Sequence, residues 1–154
     1  MPFALRPANS SDERFLHRLY ESTHGQQFVL LPLAATQREL LVQMQFNAQR
    51  TGYRQQYPRS EDFVVTIGNE PAGRLWVDES GEKVVVVDIA IAREHQGRGI
   101  GTEVLQQVIG EAEAAGKSVR LTVDRMNARA FGLYRRLGFK VCGGDDVSIE
   151  MQTK

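Results

Sequence analysis

Residues 84–112 read VVVVDIAIAREHQGRGIGTEVLQQVIGEA, and three patterns follow one another inside that stretch. Val84 to Ile91 is a run of small aliphatic residues broken only by Asp88, the composition of a buried strand. Gln96 to Thr102 is glycine-rich, with Gly97, Gly99 and Gly101 at alternate positions. Ile100, Val104, Leu105, Val108, Ile109 and Ala112 then recur at helical spacing, and Gly116 stands where a helix stop belongs. A second strand, Val119 to Val123, follows. The order is strand, glycine loop, helix, strand.

Upstream, Phe3–Pro7 is extended, and Ser10-Ser11-Asp12-Glu13 has the S-x-x-E form of a capping box. Phe15, Leu16, Leu19 and Tyr20 predict a first helix to about Glu21, with breaks at Gly25 and Pro32. Thr36-Gln37-Arg38-Glu39 predicts a second cap, and Leu40, Leu41, Met44 and Ala48 form the stripe of a second helix. That helix is expected to give way to a polar-aromatic segment over Arg50–Pro58. Phe63–Ile67, Gly73–Val77 and Val84–Ile91 are three strands joined by the turn Gly68–Pro71 and the link Glu79–Glu82, so they pair as antiparallel hairpins. Downstream, Asn127–Leu137 is amphipathic, with Ala130, Phe131, Tyr134 and Leu137 on one stripe. Gly138 ends it, and two strands lie near Phe139–Cys142 and Val147–Met151. The class is α+β.

The 154 residues make one domain, 1–154, and 42% hydrophobic with 25% charged residues is the composition of a soluble protein. Nineteen basic against nineteen acidic side chains give no net charge, which argues against nucleic acid as a partner. Cys142 is the sole cysteine, so there is no intrachain disulfide, and a reducing, cytoplasmic setting fits. Cys142 itself reads as small core filler. His17, His24 and His95 with one cysteine make no zinc set, and His17 and His24 read as surface residues. Met1–Arg6 lacks a basic segment followed by a long apolar run and Val84–Val87 is too short to span a membrane, so neither a signal peptide nor a membrane span is expected.

The glycine loop opens a helix, where unsatisfied N–H groups and the positive dipole end favour an anion. It lacks the Lys-[ST] ending of a P-loop, and Thr102 and Val104 stand where a G-x-G-x-x-G fingerprint needs its last glycine. Asp124 holds the place of that fingerprint's ribose-binding acid, so a nucleotide remains a second reading.

Gln96-x-x-Gly99-x-Gly101 matches the [QR]-x-x-G-x-[GA] motif of the GNAT N-acetyltransferases. Asn127 to Phe139 resembles that family's N-x-x-A-x-x-x-Y-x-x-L-G-F segment, with Asn127, Ala130, Tyr134, Leu137, Gly138 and Phe139 in place. The resemblance, from about Leu5 to Met151, implies a mostly antiparallel central sheet with a parallel β-loop-α-β unit for acetyl-CoA at its centre, flanked by helices. It implies that the pyrophosphate sits on Gln96, Gly97, Arg98, Gly99, Ile100, Gly101 and Thr102. The pantetheine arm would run between splayed strands along Ile89, Ala90 and Ile91, with Asn127 and Phe131 also on the cofactor. The reaction implied is direct attack of an amine, of a small molecule or a peptide, on the thioester. Tyr134 would serve the departing thiolate. Asp88 is the candidate base, although relatives with a glutamate base place it near Val85, and a water chain is the alternative. Tyr53 and Tyr57 fall in the stretch that roofs the acceptor site. A silent acyl-CoA-binding module is the rival reading, and the last hairpin is a candidate homodimer contact.

Overall fold

A computed structural model describes residues 2–24 and 31–154 of the chain; the predicted break at Gly25 lies outside the described residues. The chain opens with β1 (Ala4–Pro7) and runs through α1 (Glu13–His24) and α2 (Ala35–Gln56) into β2 (Glu61–Ile67), β3 (Glu70–Asp78) and β4 (Val84–Ile91). It continues as α3 (Ile100–Ala114), β5 (Val119–Asp124), α4 (Ala128–Arg136), β6 (Lys140–Gly144) and β7 (Ser148–Gln152). One seven-stranded sheet results, in the order β1-β2-β3-β4-β5-β7-β6. Among the described residues only β4 and β5 run parallel, because α3 carries the chain back between them. The mixed α+β architecture is the expected one.

Local chemistry moves several boundaries. The first cap is Asn9, not Ser10: its Oδ1 accepts from the Ser11 N–H at 2.9 Å, and its own N–H donates to Asp12 Oδ2 at 2.9 Å. Asp12 also takes both ends of the Arg6 guanidinium, at 2.9 and 2.7 Å, and that pairing holds its carboxyl below the usual range. The second helix begins at Ala35, with Gln37 Oε1 accepting from the Ala34 N–H at 3.0 Å, so Thr36 is not the cap. It then runs unbroken to Gln56, so most of the expected polar-aromatic loop is helix. Tertiary packing explains the extension: the Tyr53 ring stands edge-on to Trp76 at 5.3 Å and anchors that last turn to β3.

Pairing register sorts the side chains between two faces. Val65, Leu75, Val77, Val84 and Val86 lie under α3 with Ile100, Val104, Leu105 and Val108. Trp76 lies opposite both Asp62 and Asp88, and Arg74 opposite Val64 and Ala90, so these six share the other face. There α1 and α2 pack through Leu16, Tyr20, Val42 and Phe46. Between the two sets of β3–β4 pairs, Val77 meets Val86 and Trp76 meets Asp88, which leaves Val87 as an extra, bulged residue. The side-chain alternation flips there. Without the bulge Asp88 would face α3 like Val86.

Two expectations fail on burial. Cys142 is exposed, because β6 is an edge strand and its side chains are largely solvated. His17 and His24 are half-buried: His17 meets the Phe46 ring edge-on at 5.5 Å between α1 and α2, and His24 stacks on Tyr20 at 4.4 Å.

Candidate active site

The parallel ladder between β4 and β5 lasts for three pairs, Val84–Val119, Val85–Arg120 and Val86–Leu121. Beyond it the strands part. The opening is a cleft of about 820 Å³ lined by Asp88, Ile89, Ala90 and Ile91 of β4, by Tyr134 and Asn127, and by the glycine loop. Tyr53 and Tyr57 at the end of α2 and His24 at the end of α1 line it as well. The bulge at Val87 starts this divergence, since a bulge bends its strand away from the neighbour.

The loop is shaped by its own hydrogen bonds. A single turn, Arg93–His95, closes with the His95 N–H on the Ala92 carbonyl at 2.8 Å. The Gln96 amide donates to the Ile91 carbonyl at 2.9 Å and ties the loop to the strand end. Gly97 and Gly99 take φ of 79° and 78°, left-handed values that strain any residue with a Cβ, although open space surrounds both. The N-cap of α3, Gly99, makes no side-chain cap bond, and the Glu103 N–H donates to the Gly99 carbonyl at 3.0 Å. The N–H groups ahead of it, at Ile100, Gly101 and Thr102, have no acceptor within the helix and suit an anion. Gln96, Gly97, Gly99, Ile100, Gly101 and Thr102 all line the cleft. Arg98 is exposed and outside it, and Phe131 packs against the main core with Arg135 over its ring at 6.0 Å.

Asp88 lies among groups of both signs. Burial pushes its carboxyl above the ordinary range, against the pull of Arg74, of His24 and of a hydrogen bond from the Ile89 N–H, while Asp62 pushes the same way as burial. The Arg74 guanidinium is 2% exposed and closes a bidentate pair on Asp62, at 2.9 and 2.8 Å. It also lies over the Trp76 ring at 4.7 Å, and the indole N–H donates to Ser60 Oγ at 2.6 Å. Burial and the Asp88 charge push the Tyr53 phenol upward, and they push Tyr134 up to about 12. Tyr134 is held by Phe139, ring to ring at 5.8 Å, with its carbonyl accepting from the Phe139 N–H at 3.0 Å. Asn127 caps α4, its Oδ1 accepting from the Ala130 N–H at 3.1 Å.

Asp78, the last residue of β3, and Glu79 after it lie outside the cleft: Asp78 Oδ1 accepts from the Ser80 N–H and hydroxyl at 2.8 and 2.6 Å. Among the described residues no three His, Cys, Asp or Glu side chains gather as a metal site. Sequence reading missed Thr23, His24 and Gln56 on the cleft wall and the Arg74–Asp62 pair behind Asp88. The alternation of Arg74 and Trp76 in β3 was the available signal, but it points to Asp88 only once the register is known.

Comparison with known proteins places this geometry. Residues 29–139 match the acetyltransferase (GNAT) family. The chain is 31% identical over 93 residues to the L-methionine sulfoximine/L-methionine sulfone acetyltransferase of Pseudomonas aeruginosa, a match covering 54% of each protein. It is 35% identical over 65 residues to the streptothricin acetyltransferase of Streptomyces lavendulae, covering 42% of this chain and 34% of the relative. The chain thus spans about half or less of the length of these curated relatives. The PaiA N-acetyltransferase of Thermoplasma acidophilum, crystallised with coenzyme A, superposes with a TM-score of 0.74 at 17% identity, over 100% of this chain and 99% of that one. That likeness extends to the whole fold, while the family match covers residues 29–139, from before α2 to just past α4. The chain belongs to the acetyltransferase (GNAT) family.

Proposed function

We propose that this protein is an acetyl-CoA-dependent N-acetyltransferase that moves the acetyl group to a primary amine. The parting of β4 from β5 carries the reading, because it puts an unpaired strand edge, a glycine-lined helix start, Asp88 and Tyr134 into one cleft. The glycine loop and the uncapped start of α3 suit the pyrophosphate, and the Ile89–Ile91 backbone suits the amides of the pantetheine arm. The thioester supplies the activated acyl group.

The residues divide the proton work. A primary amine has a pKa of about 10 and arrives protonated, so Asp88 takes the proton that frees its lone pair. A carboxyl held above its ordinary range is a better base for that task. The amine nitrogen bonds to the carbonyl carbon, a backbone N–H near Ile89 steadies the oxyanion, the C–S bond breaks, and the second ammonium proton passes from the new amide nitrogen to the departing thiolate, which leaves as free thiol. Tyr134, at about 12, stays protonated at neutral pH. A thiolate whose thiol has a pKa near 8.5 is a weaker base than the Tyr134 phenolate, so Tyr134 keeps its proton and serves the thiolate as a hydrogen-bond donor.

Release of free thiol from acetyl-CoA, dependent on added amine, tests the reading. Amine-dependent release is expected. Tight acetyl-CoA binding with no release for any primary amine would favour the silent binding module. We also read β6, an edge strand with Val141 exposed, as a homodimer contact and the cytoplasm as the site of action. Light scattering at two concentrations and fractionation of cells check these two points.

A further inference from the structure

We propose that the acceptor is a cationic amine with no carboxylate on its amine-bearing carbon, an alkyl- or arylalkylamine rather than an α-amino acid, and that Asp88 and Tyr53 make this selection. The inference rests on the acetyltransferase reading and narrows its acceptor.

The cleft offers a negative charge and aromatic walls where the amine must come. Asp88 lines it on the face turned toward α1 and α2. Trp76 is the cross-strand partner of Asp88, and Tyr53 stands edge-on to Trp76, so a tyrosine ring is fixed beside the carboxylate. Tyr57 follows on the same wall. A carboxylate next to aromatic rings suits an ammonium head and the alkyl carbons behind it.

An α-carboxylate would sit two bonds from that nitrogen and meet Asp88. A partner for it would have to come from a cation on this face. Arg74, whose charge already acts on Asp88, is buried, bound to Asp62 through its Nε–Nη2 edge and stacked over the Trp76 ring. Arg129 and Arg136 do line the cleft, but helical geometry places each about two-fifths of a turn from Tyr134 on α4. His24 lines the cleft too, with its Nδ1 paired to the Thr23 hydroxyl at 2.8 Å and its ring stacked on Tyr20. Two like charges in a partly desolvated site repel strongly.

The test uses the purified chain with acetyl-CoA at pH 8 and two matched series: phenethylamine, L-phenylalaninamide and L-phenylalanine, and isoamylamine, L-leucinamide and L-leucine. The amide keeps the size of the acid and removes its charge. In each series kcat/KM for the amide should exceed that of the free acid by at least about tenfold, the scale of one like-charge contact near a protein surface. Calorimetric binding of amide and acid to the coenzyme A complex of Asp88→Asn should show that preference shrink toward unity, whatever the variant's turnover. Free acids used as well as amides, or an undiminished preference in Asp88→Asn, would overturn the proposal. So would failure of all six compounds in a protein that acetyl-CoA still stabilises against heat. Loss of that stabilisation would instead count against the acetyltransferase reading.

Discussion

In the proposed reaction Asp88 takes the ammonium proton and Tyr134 hydrogen-bonds the departing thiolate, and each role has a separable signature. Tyr134→Phe should lower kcat by about 10–100-fold, toward the lower end of what a positioned acid contributes, while leaving KM for acetyl-CoA within about twofold. Steady-state thiol release measures both constants. Asp88 should impose an acid limb on kcat/KM that lies above the ordinary carboxylate range of about 4, and Asp88→Asn should remove it. Stability follows with a definite sign. A carboxyl raised in the folded state binds more protons there than in the unfolded chain, so stability falls as pH rises from the unfolded pKa through the folded one. Asp88→Asn should therefore melt higher than the wild type at pH 8, and the gap should close toward pH 4. Scanning calorimetry at the two pH values checks this. The glycine motif was readable from its spacing, and Tyr134 from the resemblance of Asn127–Phe139 to the family's segment. The surroundings of Asp88 were not, since His24, Tyr53 and Arg74 come from three elements.

Among the elements, β4 does most to create the cleft, and its bulge decides which face Asp88 meets. Nothing in Val84–Ile91 announces an extra residue at Val87, because a run of valines reads the same in either register. The strands and the helix order could be read, since periodicity survives without partners. The length of α2 could not, because its last turn is held by Trp76, which only the fold brings near. Behind the bulge, Arg74 and Asp62 tie β3 to β2. Asp62→Ala should cost about 3–5 kcal/mol by leaving a buried guanidinium unpaired, measured by urea unfolding, whereas a surface pair such as Arg120–Glu150 should matter by less than about 1 kcal/mol. Gly73 admits no side chain: a Cβ there would stand 2.5 Å from the Ala90 carbonyl oxygen. Gly73→Ala should lower stability by about 1–3 kcal/mol by forcing β3 from β4 beside the cleft.

At the scale of the whole molecule, one core under α3 fixes the glycine loop and a second between α1 and α2 fixes the wall near Asp88. The sheet joins them, so the donor and acceptor regions sit on a shared strand, β4. The central claim is that this cleft holds acetyl-CoA, and thermal unfolding with acetyl-CoA, with ATP and NAD as controls, tests it most directly. A ligand that binds only the folded chain adds about 2.7 kcal/mol at one hundred times its Kd, a rise of roughly 5–10 °C for a chain of this size. The account predicts that rise with acetyl-CoA and little with ATP or NAD. No rise at saturating acetyl-CoA, or an equal rise with all three, would contradict it.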